Sequence, residues 1–471
     1  MSSIKTDYDV VVVGAGTAGC YFAHSMAAQG YKVCVVESAA AEDMGKKLYL
    51  FHTDKERFES YGVPEPKPGD EDYVGLFEYG LTKSAFNNYP KKAVYPFSVL
   101  LLPPFLKRMR IWAEDAGAEF YFSTPFVDFV YDSNKIVGAI VESDGTKIEI
   151  NTRLVVDCSG IPSVARRKLK KGKVETFEIS PRDKFYVIIR YVNMKDPKDY
   201  VTFPTGWAYY KSWIGSGPVE NQAIIGIGAN LSFEYAEKCF ERFTKVIELP
   251  EHELDHIEKG FTPYRRAPYS LVADGFICLG DAACMTKPYS GEGITSGWVG
   301  CKIAADIAAE VMKNGTYPSE EKLWPINLKY NTSQAADFSY ILATLINAVE
   351  CTPEENEYEF KKDIVFTSKA LSRMNRNFNA DMPLGEVLQL VGRVLGGVIT
   401  GNIGLKTVSH LLHGIMLAGK LKSCYKKFPK TAAGYEKWKA KADDLWLKTG
   451  TMADVIDRME ATLAAKAAKN N

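Results

Sequence analysis

Three glycines near the start of the chain have the spacing of a nucleotide-phosphate site. They lie in the segment VVVVGAGTAGC (10–20) and follow the pattern GxGxxG directly after a run of valines. The first glycine of this pattern permits a tight turn, the second lets the backbone approach a pyrophosphate, and the third lets a helix pack closely on the strand. The residues predicted to form this cofactor-binding turn are Gly14, Gly16, Thr17, Ala18 and Gly19.

A carboxylate follows this turn at the separation that a dinucleotide-binding unit requires. The segment GYKVCVVE predicts a second strand, and it ends at Glu37. An acidic residue at this strand tip accepts hydrogen bonds from the ribose hydroxyls of an adenosine. The strand, glycine turn, helix and acidic residue together predict a bound dinucleotide, but they do not distinguish NAD from FAD.

A second group of candidate residues lies in DGFICLGDAACMTKPYSGEGITSG (274–297). A short apolar strand ends at Gly280 and Asp281, where a carboxylate can bind a polyol hydroxyl. The turn that follows opens an apolar helix, and its free amides can stabilise negative charge, as on the edge of a reduced flavin. The turn residues predicted to contact the cofactor are Pro288, Gly291, Gly293 and Ile294.

These segments, with a third at 154–169, resemble one class of flavoproteins. GDAA followed by P-x-x-G-E-G-I resembles the second FAD motif of the para-hydroxybenzoate hydroxylase-like flavoproteins, and LVVDCSGIPSVARRKL resembles their D-x-D-G-x-x-S-x-x-R stretch. The matching positions of that stretch are Asp157, Gly160, Ser163 and Arg166, with Ser159 in place of the second acidic residue. The resemblance implies FAD as cofactor, with Asp157 and Gly160 among its binding residues.

Within this class the sequence is most similar to the geranylgeranyl reductase group. The similarity lies in the GDAA…GEGI segment and in the C-terminal stretch HGIMLAGKLKSCYKKFPKTAAGYEKWKAKADDLW. It implies an FAD-dependent oxidoreductase that reduces carbon–carbon double bonds of a hydrophobic or conjugated substrate. Two alternatives stay open: a flavin-dependent monooxygenase that hydroxylates an aromatic substrate, and a non-catalytic or electron-transfer flavoprotein. The electron donor also stays open, among a nicotinamide, a ferredoxin or another donor.

The sequence departs from the reductase pattern where the proton donor is expected. These reductases place a cysteine soon after the first acidic strand, whereas MGKKLYLFHTD has Tyr49 at that place and His52 close by. We therefore predict Tyr49 or His52 as the catalytic proton donor, against the alternatives of an aromatic core residue and a structural histidine. The substrate-sheet signature YxWxFP is also not intact, since FPTGWAYYKSW (203–213) has its residue types in a different order.

The elements that position these residues predict an α/β (α+β overall) fold. It has a Rossmann-like FAD-binding domain, an inserted antiparallel substrate-binding sheet and a C-terminal helical region. Val10–Val13 predicts a buried strand and Cys20–Gln29 the helix after it, while 184–194, 206–214 and 221–230 predict strands of the inserted sheet. The predicted segments are 1–70, 98–175 and 265–320 for FAD, 71–97 and 176–264 for substrate, and 321–471 for the helices.

Two apolar stripes at helical spacing mark the last part of the chain. The first stripe is Leu384, Val387, Leu388, Val391, Leu395 and Val398, and the second is Val408, Leu411, Leu412, Ile415 and Met416. One interpretation is a helical cap that completes the core. The other is a hydrophobic tunnel, or a shallow membrane contact, for an apolar substrate.

Composition and charge narrow the classes of partner, location and metal site that the sequence leaves open. Lys plus Arg and Asp plus Glu are 58 each, so net charge gives no reason to expect nucleic acid. Nine cysteines without a CxxC pair, a polar N-terminus without signal-peptide features and no long apolar stretch predict a cytoplasmic protein, peripheral to the membrane at most. HELDH (252–256) matches a zinc-protease pattern but lacks a third ligand, so we expect the exposed start of a helix there and no metal.

Overall fold

The computed structural model describes residues 4–470, apart from 196–204, 208–209, 248, 250, 349, 365–366 and 378–382. The strands are β1 Val10–Val13, β2 Val33–Val36, β3 Leu50–Asp54, β4 Tyr73–Thr82, β5 Lys91–Leu101, β6 Glu119–Tyr121, β7 Phe126–Asp132, β8 Lys135–Ser143, β9 Thr146–Asn151, β10 Leu154–Asp157, β11 Lys184–Met194, β12 Thr205–Trp207, β13 Tyr210–Ser216, β14 Gln222–Asn230, β15 His252–Pro263, β16 Val272–Ala273 and β17 Phe276–Cys278.

The helices follow in the same numbering. They are α1 Thr17–Ala27, α2 Glu56–Tyr61, α3 Leu102–Asp115, α4 Phe233–Thr244, α5 Ile294–Met312, α6 Glu320–Tyr330, α7 Ala336–Ala348, α8 Pro353–Lys361, α9 Ser368–Asn377, α10 Leu384–Ile399, α11 Leu405–Tyr425, α12 Tyr435–Thr449 and α13 Met452–Asn470.

A six-stranded sheet with the order β16-β17-β10-β1-β2-β6 carries the nucleotide motifs. Strand β1 pairs in parallel with β10 and β2, and Val10 lies opposite Leu154 and Val33. Both faces of β1 are buried, which explains its uninterrupted valines. Because the parallel strands β1, β2, β10 and β17 end at one edge of the sheet, the three motifs that follow them meet there. The predicted α/β fold class is confirmed, although α1 begins at Thr17 rather than at Cys20.

Two antiparallel sheets build the other side of the molecule. One has five strands in the order β12-β13-β14-β11-β15, and the other has three in the order β3-β5-β4. The segment predicted as one strand at 206–214 includes parts of two, since β12 and β13 pair as a hairpin with Trp207 opposite Tyr210. A small apolar core joins the two sheets. Its buried members are Leu50, Phe97, Val99, Ile189, Tyr191 and Ile224.

Two sequence predictions on this side need correction. The boundary placed between 97 and 98 falls inside β5, and β3 pairs with β5 although 1–70 was assigned to the FAD segment. The HELDH segment is the start of strand β15 and not of a helix. Its His256 ring stacks on Tyr191 at 4.1 Å, and β15 pairs with β11, so packing across strands decides its conformation.

Among the described residues, the chain from 321 onward forms helices, as predicted. A π-helical segment at Asn331–Ala335 joins α6 to α7. The interpretation that the first apolar stripe completes the core is wrong for most of α10. Of the α10 side chains that the structure describes, only Leu390 and Val394 belong to a small buried cluster, whereas the stripe residues Val387, Leu388, Val391 and Leu395 are exposed.

None of the helices in the described part of the chain is both long and apolar enough to cross a bilayer.

Candidate active site

The glycine turn after β1 leaves no room for side chains at two of its positions. Gly14 has φ of +104°, and a Cβ atom there would lie 2.4 Å from the carbonyl oxygen of Cys158. A Cβ atom at Gly19 would lie 1.9 Å from the carbonyl oxygen of Gly14. These two glycines are therefore required by the protein itself, for the turn and for the packing of α1.

Gly16 differs from its two neighbours because it faces open space. Its φ of −72° is one that any residue adopts. A Cβ atom at this position would meet nothing within 4 Å, and Gly16 lines a large cavity together with Thr17 and Ala18. The first amides of α1 point into the same space, and a helix N-terminus favours an anion there. The open side of Gly16 thus has the shape and polarity of a phosphate seat.

Glu37 lies beside this turn, as the nucleotide hypothesis requires. Its carboxylate accepts hydrogen bonds from the backbone N–H groups of Ala15 and Ala39, both at 2.9 Å, and from the hydroxyl of Ser38 at 3.0 Å. These contacts fix the carboxylate at the tip of β2, next to the glycine turn. Its role as the ribose acceptor stays a prediction.

Asp157 has a different position from the one that the resemblance implies. One carboxylate oxygen accepts from the N–H and the hydroxyl of Ser159, at 3.0 and 2.6 Å. The other accepts from the N–H groups of Ala165 and Arg166, at 3.1 and 2.6 Å. The side chain is fully buried and does not line the cavity, unlike Gly160. Asp157 therefore shapes the loop that carries Gly160, and its assignment as a direct cofactor contact is corrected.

Arg166 ties the third motif to the second. Its Nε donates to the carbonyl oxygen of Ala282 at 2.8 Å, and its Nη2 donates to the hydroxyl of Ser163 at 3.0 Å. The guanidinium is fully buried. Since Ala282 follows Asp281 directly, this arginine sets the distance between the two loops that face the cavity.

The second motif contributes two groups of residues to the wall of the cavity. Asp281 accepts a hydrogen bond from the Thr286 hydroxyl at 2.9 Å, and burial raises the pKa of its carboxyl. A Cβ atom at Gly293 would lie 2.9 Å from Asp281 Oδ1, so this glycine keeps the carboxylate accessible. The motif residues that line the cavity are Gly280, Asp281, Pro288, Gly291, Gly293 and Ile294, which are the positions predicted from the sequence.

A buried ion cluster, which the sequence analysis missed, holds this turn in place. The Lys287 ammonium lies 2.5 Å from the Glu292 carboxylate and 3.5 Å from Asp54 on β3, and its side chain is 1% exposed. The Lys287 N–H also donates to the Glu292 carbonyl oxygen at 3.0 Å. Burial raises the pKa of Asp54 although Lys287 opposes this, whereas Lys287 holds the pKa of Glu292 below its usual value. The cluster holds both ends of the turn together and ties them to β3.

The cavity encloses about 550 Å³ and continues from these turns to an apolar wall. The wall comes from β3 and β5 on one side and from the five-stranded sheet on the other. Its members are Leu48, Leu50, Phe97, Phe185, Val187, Ile189, Trp213, Ile224 and Phe261. The C-terminal helices add Leu345, Phe360 and Met452 at its border.

The two predicted proton donors differ in their position relative to the cavity. Tyr49 does not line the cavity, its side chain is 37% exposed, and its backbone N–H donates to Glu258 at 2.8 Å. His52 does line the cavity, but burial lowers its pKa to about 4. The imidazole is therefore neutral near pH 7 and has no readily released proton. Tyr49 thus lies outside the cavity, whereas His52 lines it and its catalytic role stays a prediction.

The cavity contains an ammonium group that the sequence analysis passed over. Lys211 and Trp213 alternate along β13, so both side chains point inward and line the cavity. The signal was present in the sequence. Lys211 stands two residues before Trp213, so alternation along a strand places both side chains on one face.

These features fit FAD. An open phosphate seat beside Gly16, a fixed carboxylate at Glu37 and a second glycine turn before α5 lie along one sheet edge, and the cavity joins the first to the last. The first turn would hold the pyrophosphate, Glu37 the ribose, and the turn around Gly291 the flavin ring.

Comparison with known proteins agrees with this geometry. The chain belongs to the family described as FAD binding domain, whose match covers residues 7–313. It is therefore an FAD-dependent oxidoreductase.

Its relatives place it, within that class, in the geranylgeranyl reductase group. The digeranylgeranylglycerophospholipid reductase of Sulfolobus acidocaldarius is 23% identical in an alignment 469 residues long, which covers 93% of this chain and 97% of the relative. Digeranylgeranylglycerophospholipid reductase 2 of Methanococcoides burtonii is 25% identical in an alignment 395 residues long, which covers 78% of this chain and 91% of the relative. The resemblance inferred from the motifs is confirmed.

Solved structures share the fold. The crystal structure of a geranylgeranyl bacteriochlorophyll reductase-like protein from Thermoplasma acidophilum superposes with a TM-score of 0.63 at 16% identity, over 84% of this chain and 98% of that chain. The flavin-dependent brominase Bmp2 superposes with a TM-score of 0.60 at 17% identity, over 82% and 94%. Since the fold serves both kinds of chemistry, the function must be argued from the site.

Proposed function

We propose that this flavoprotein reduces carbon–carbon double bonds in a long apolar substrate of the polyprenyl type. The observation that carries the proposal is one cavity that joins the cofactor-binding turns to an apolar wall of about nine side chains. Burial of such a chain is favourable by roughly 0.8 kcal/mol per CH₂ group. The names of the relatives, which specify geranylgeranyl lipids, support the same substrate class.

The chemistry divides between cofactor and protein. Reduced FAD, when bound, supplies the hydride for such a reduction. The wall residues hold the alkene and exclude water, which converts an encounter in solution into a fixed arrangement. His52 on β3 lines this part of the cavity, where burial lowers its pKa to about 4 and disfavours a charged imidazole.

An anaerobic reoxidation experiment tests the proposal. The purified enzyme is reduced with dithionite without oxygen and mixed with digeranylgeranylglycerophospholipid. We expect the absorbance of oxidised flavin to return and the lipid to gain two hydrogens for each turnover. The saturated lipid is the control and should leave the flavin reduced. Turnover that requires oxygen and adds an oxygen atom to the product would establish a monooxygenase instead.

We also propose that the enzyme reaches such a lipid through peripheral membrane contact. The exposed apolar face of α10 and α11 supports this, and it comprises Val387, Leu388, Val391, Leu395, Ile399, Leu405, Leu412 and Met416. On α10 no exposed residue between 387 and 400 is charged. Exposed Lys406 and Lys420 follow on α11, and cations beside an apolar helix face favour an anionic bilayer surface.

Charged substitutions on this face should release the protein from vesicles. Leu388→Asp and Leu395→Asp remove side chains that are 65% and 56% exposed, so neither change should alter the melting temperature. Each should weaken binding to vesicles of phosphatidylcholine and phosphatidylglycerol by about 10-fold or more, because an apolar contact becomes a buried charge. The matched control is Leu447→Asp on α12, where an 83% exposed leucine lies outside the face. Equal sedimentation of all three variants with vesicles would contradict the proposal.

A further inference from the structure

Lys211 occupies the junction between the cofactor turn and the apolar wall. Its Nζ lies 3.5 Å from the carbonyl oxygen of Ser290 and 5.9 Å from the ring centre of Tyr289, both in the second motif. On its own strand, Trp213 belongs to the wall. An alkene held against the wall and next to the cofactor turn would therefore lie beside this ammonium group.

The charge of Lys211 is not used by the fold, in contrast to that of Lys287. Among the described residues, no carboxylate lies within 4 Å of Lys211 Nζ, whereas Lys287 is paired at 2.5 Å with Glu292. Of the described residues that line the cavity, Lys211 is also the only lysine or arginine. A half-buried ammonium group that forms no direct ion pair and lies beside an apolar wall is costly to keep, which marks Lys211 as a candidate functional group.

Its surroundings make Lys211 a stronger acid than a free lysine, whereas two phenols of the cavity become weaker acids. Burial lowers its pKa, as does Lys287, while Glu292 acts in the opposite direction. Burial raises the pKa of Tyr95 far above 10 and that of Tyr289 to about 12, which makes both phenols weaker acids. The titratable groups that face Lys211 are His52 on β3, Tyr95 on β5, and Lys287, Tyr289 and Glu292 in the second motif.

We propose that Lys211 is the catalytic acid, which donates the proton that completes reduction of the double bond; this inference depends on the proposed function. In the step, the alkene π bond opens. Reduced FAD, when bound, would supply the hydride to one carbon, and the other carbon forms a C–H bond with a proton from Lys211 Nζ, whose N–H bond breaks. The lysine is left neutral and regains its proton from water when the product leaves. The product has gained two hydrogens.

Two substitutions separate this role from binding. Lys211→Met keeps the length of the side chain and removes the proton, while Lys211→Arg keeps the positive charge in a group that does not release it. Both should retain FAD and be reduced normally by dithionite. Both should slow anaerobic reoxidation by digeranylgeranylglycerophospholipid by about 10²-fold or more at saturating lipid. Lys302→Met, at an exposed helix pair with Asp306, is the matched control and should behave as wild type.

The pH dependence gives a second readout. An acid works only when protonated, so the wild-type reoxidation rate should fall as the pH rises through the lowered pKa of Lys211, and Lys211→Met should lose this fall. Without any turnover, competitive acetylation of the intact enzyme with acetic anhydride should modify Lys211 at lower pH than Lys302. Protection of Lys211 by bound lipid is also expected.

The outcomes are distinct. If Lys211→Met is reoxidised at the wild-type rate with an unchanged pH profile, Lys211 is not the acid although the proposed function stands. If Lys211→Met only raises the lipid concentration needed for half-maximal reoxidation, and Lys211→Arg is fully active, then Lys211 binds a substrate anion and the inference fails. If the wild-type enzyme is not reoxidised by the lipid at all, the proposed function fails and this inference with it.

Discussion

Lys287→Met is expected to lower the free energy of unfolding by about 3–5 kcal/mol, because it leaves buried carboxylates without their cation. Lys287 is 1% exposed, and Asp54 and Glu292 beside it are 6% and 20% exposed in their side chains. Methionine fills a similar volume, so the loss comes from charge and not from a cavity. Urea unfolding of the cofactor-free protein measures it.

Two observations identify the cause of this loss. The loss of stability should shrink as the pH falls. Without the Lys287 ammonium, the pKa of the Asp54 carboxyl rises further in the folded state, and its protonation then removes the buried charge. The triple variant Asp54→Asn, Lys287→Met, Glu292→Gln should recover most of the stability. Lys302→Met breaks an exposed pair at 3.2 Å and should cost less than about 1 kcal/mol. If it costs as much as Lys287→Met, the cluster has no special role.

Gly16→Ala is expected to fold as the wild type does and yet to bind FAD about 10²-fold more weakly, which corresponds to ~2.7 kcal/mol. Its φ of −72° suits alanine, and the added methyl group meets no protein atom within 4 Å. The same methyl group would point into the phosphate seat and push the pyrophosphate away from the first amides of α1. Quenching of FAD fluorescence by the cofactor-free protein measures the affinity, and circular dichroism measures the melting temperature.

Two glycines elsewhere serve as controls for this prediction. Gly14→Ala should lose both FAD and stability, since its Cβ atom would lie 2.4 Å from a backbone oxygen. Gly419→Ala, on α11, also meets nothing within 4 Å but lies outside the cavity, so it should keep full affinity. Unchanged FAD affinity in Gly16→Ala would mean that the pyrophosphate lies elsewhere.

The nucleotide half of the site could be predicted from the sequence because its rules are local. The turn requires a φ of +104° at Gly14, and Gly19 packs on the carbonyl oxygen of Gly14 five residues earlier, while the buried valines of β1 reflect a strand covered on both faces. The three motifs each follow a parallel strand, and parallel strands end at one edge, so their order along the chain was enough to bring them together.

The substrate half depended on tertiary structure because its contacts join distant parts of the chain. Lys287 meets Asp54 across 233 residues, and Lys211 meets Ser290 across 79. The apolar spacing of α10 looked like a core helix, but spacing shows only that one face is apolar and not whether another element covers it.

The proton donor was likewise only partly predictable from the sequence. The sequence showed that the usual cysteine was absent and that Tyr49 and His52 were nearby. Only the packed structure decided that Tyr49 points away from the cavity, that burial leaves His52 neutral, and that Lys211 enters from another sheet. Side-chain direction and acidity both depend on neighbours from other elements, and the fold alone chooses those neighbours.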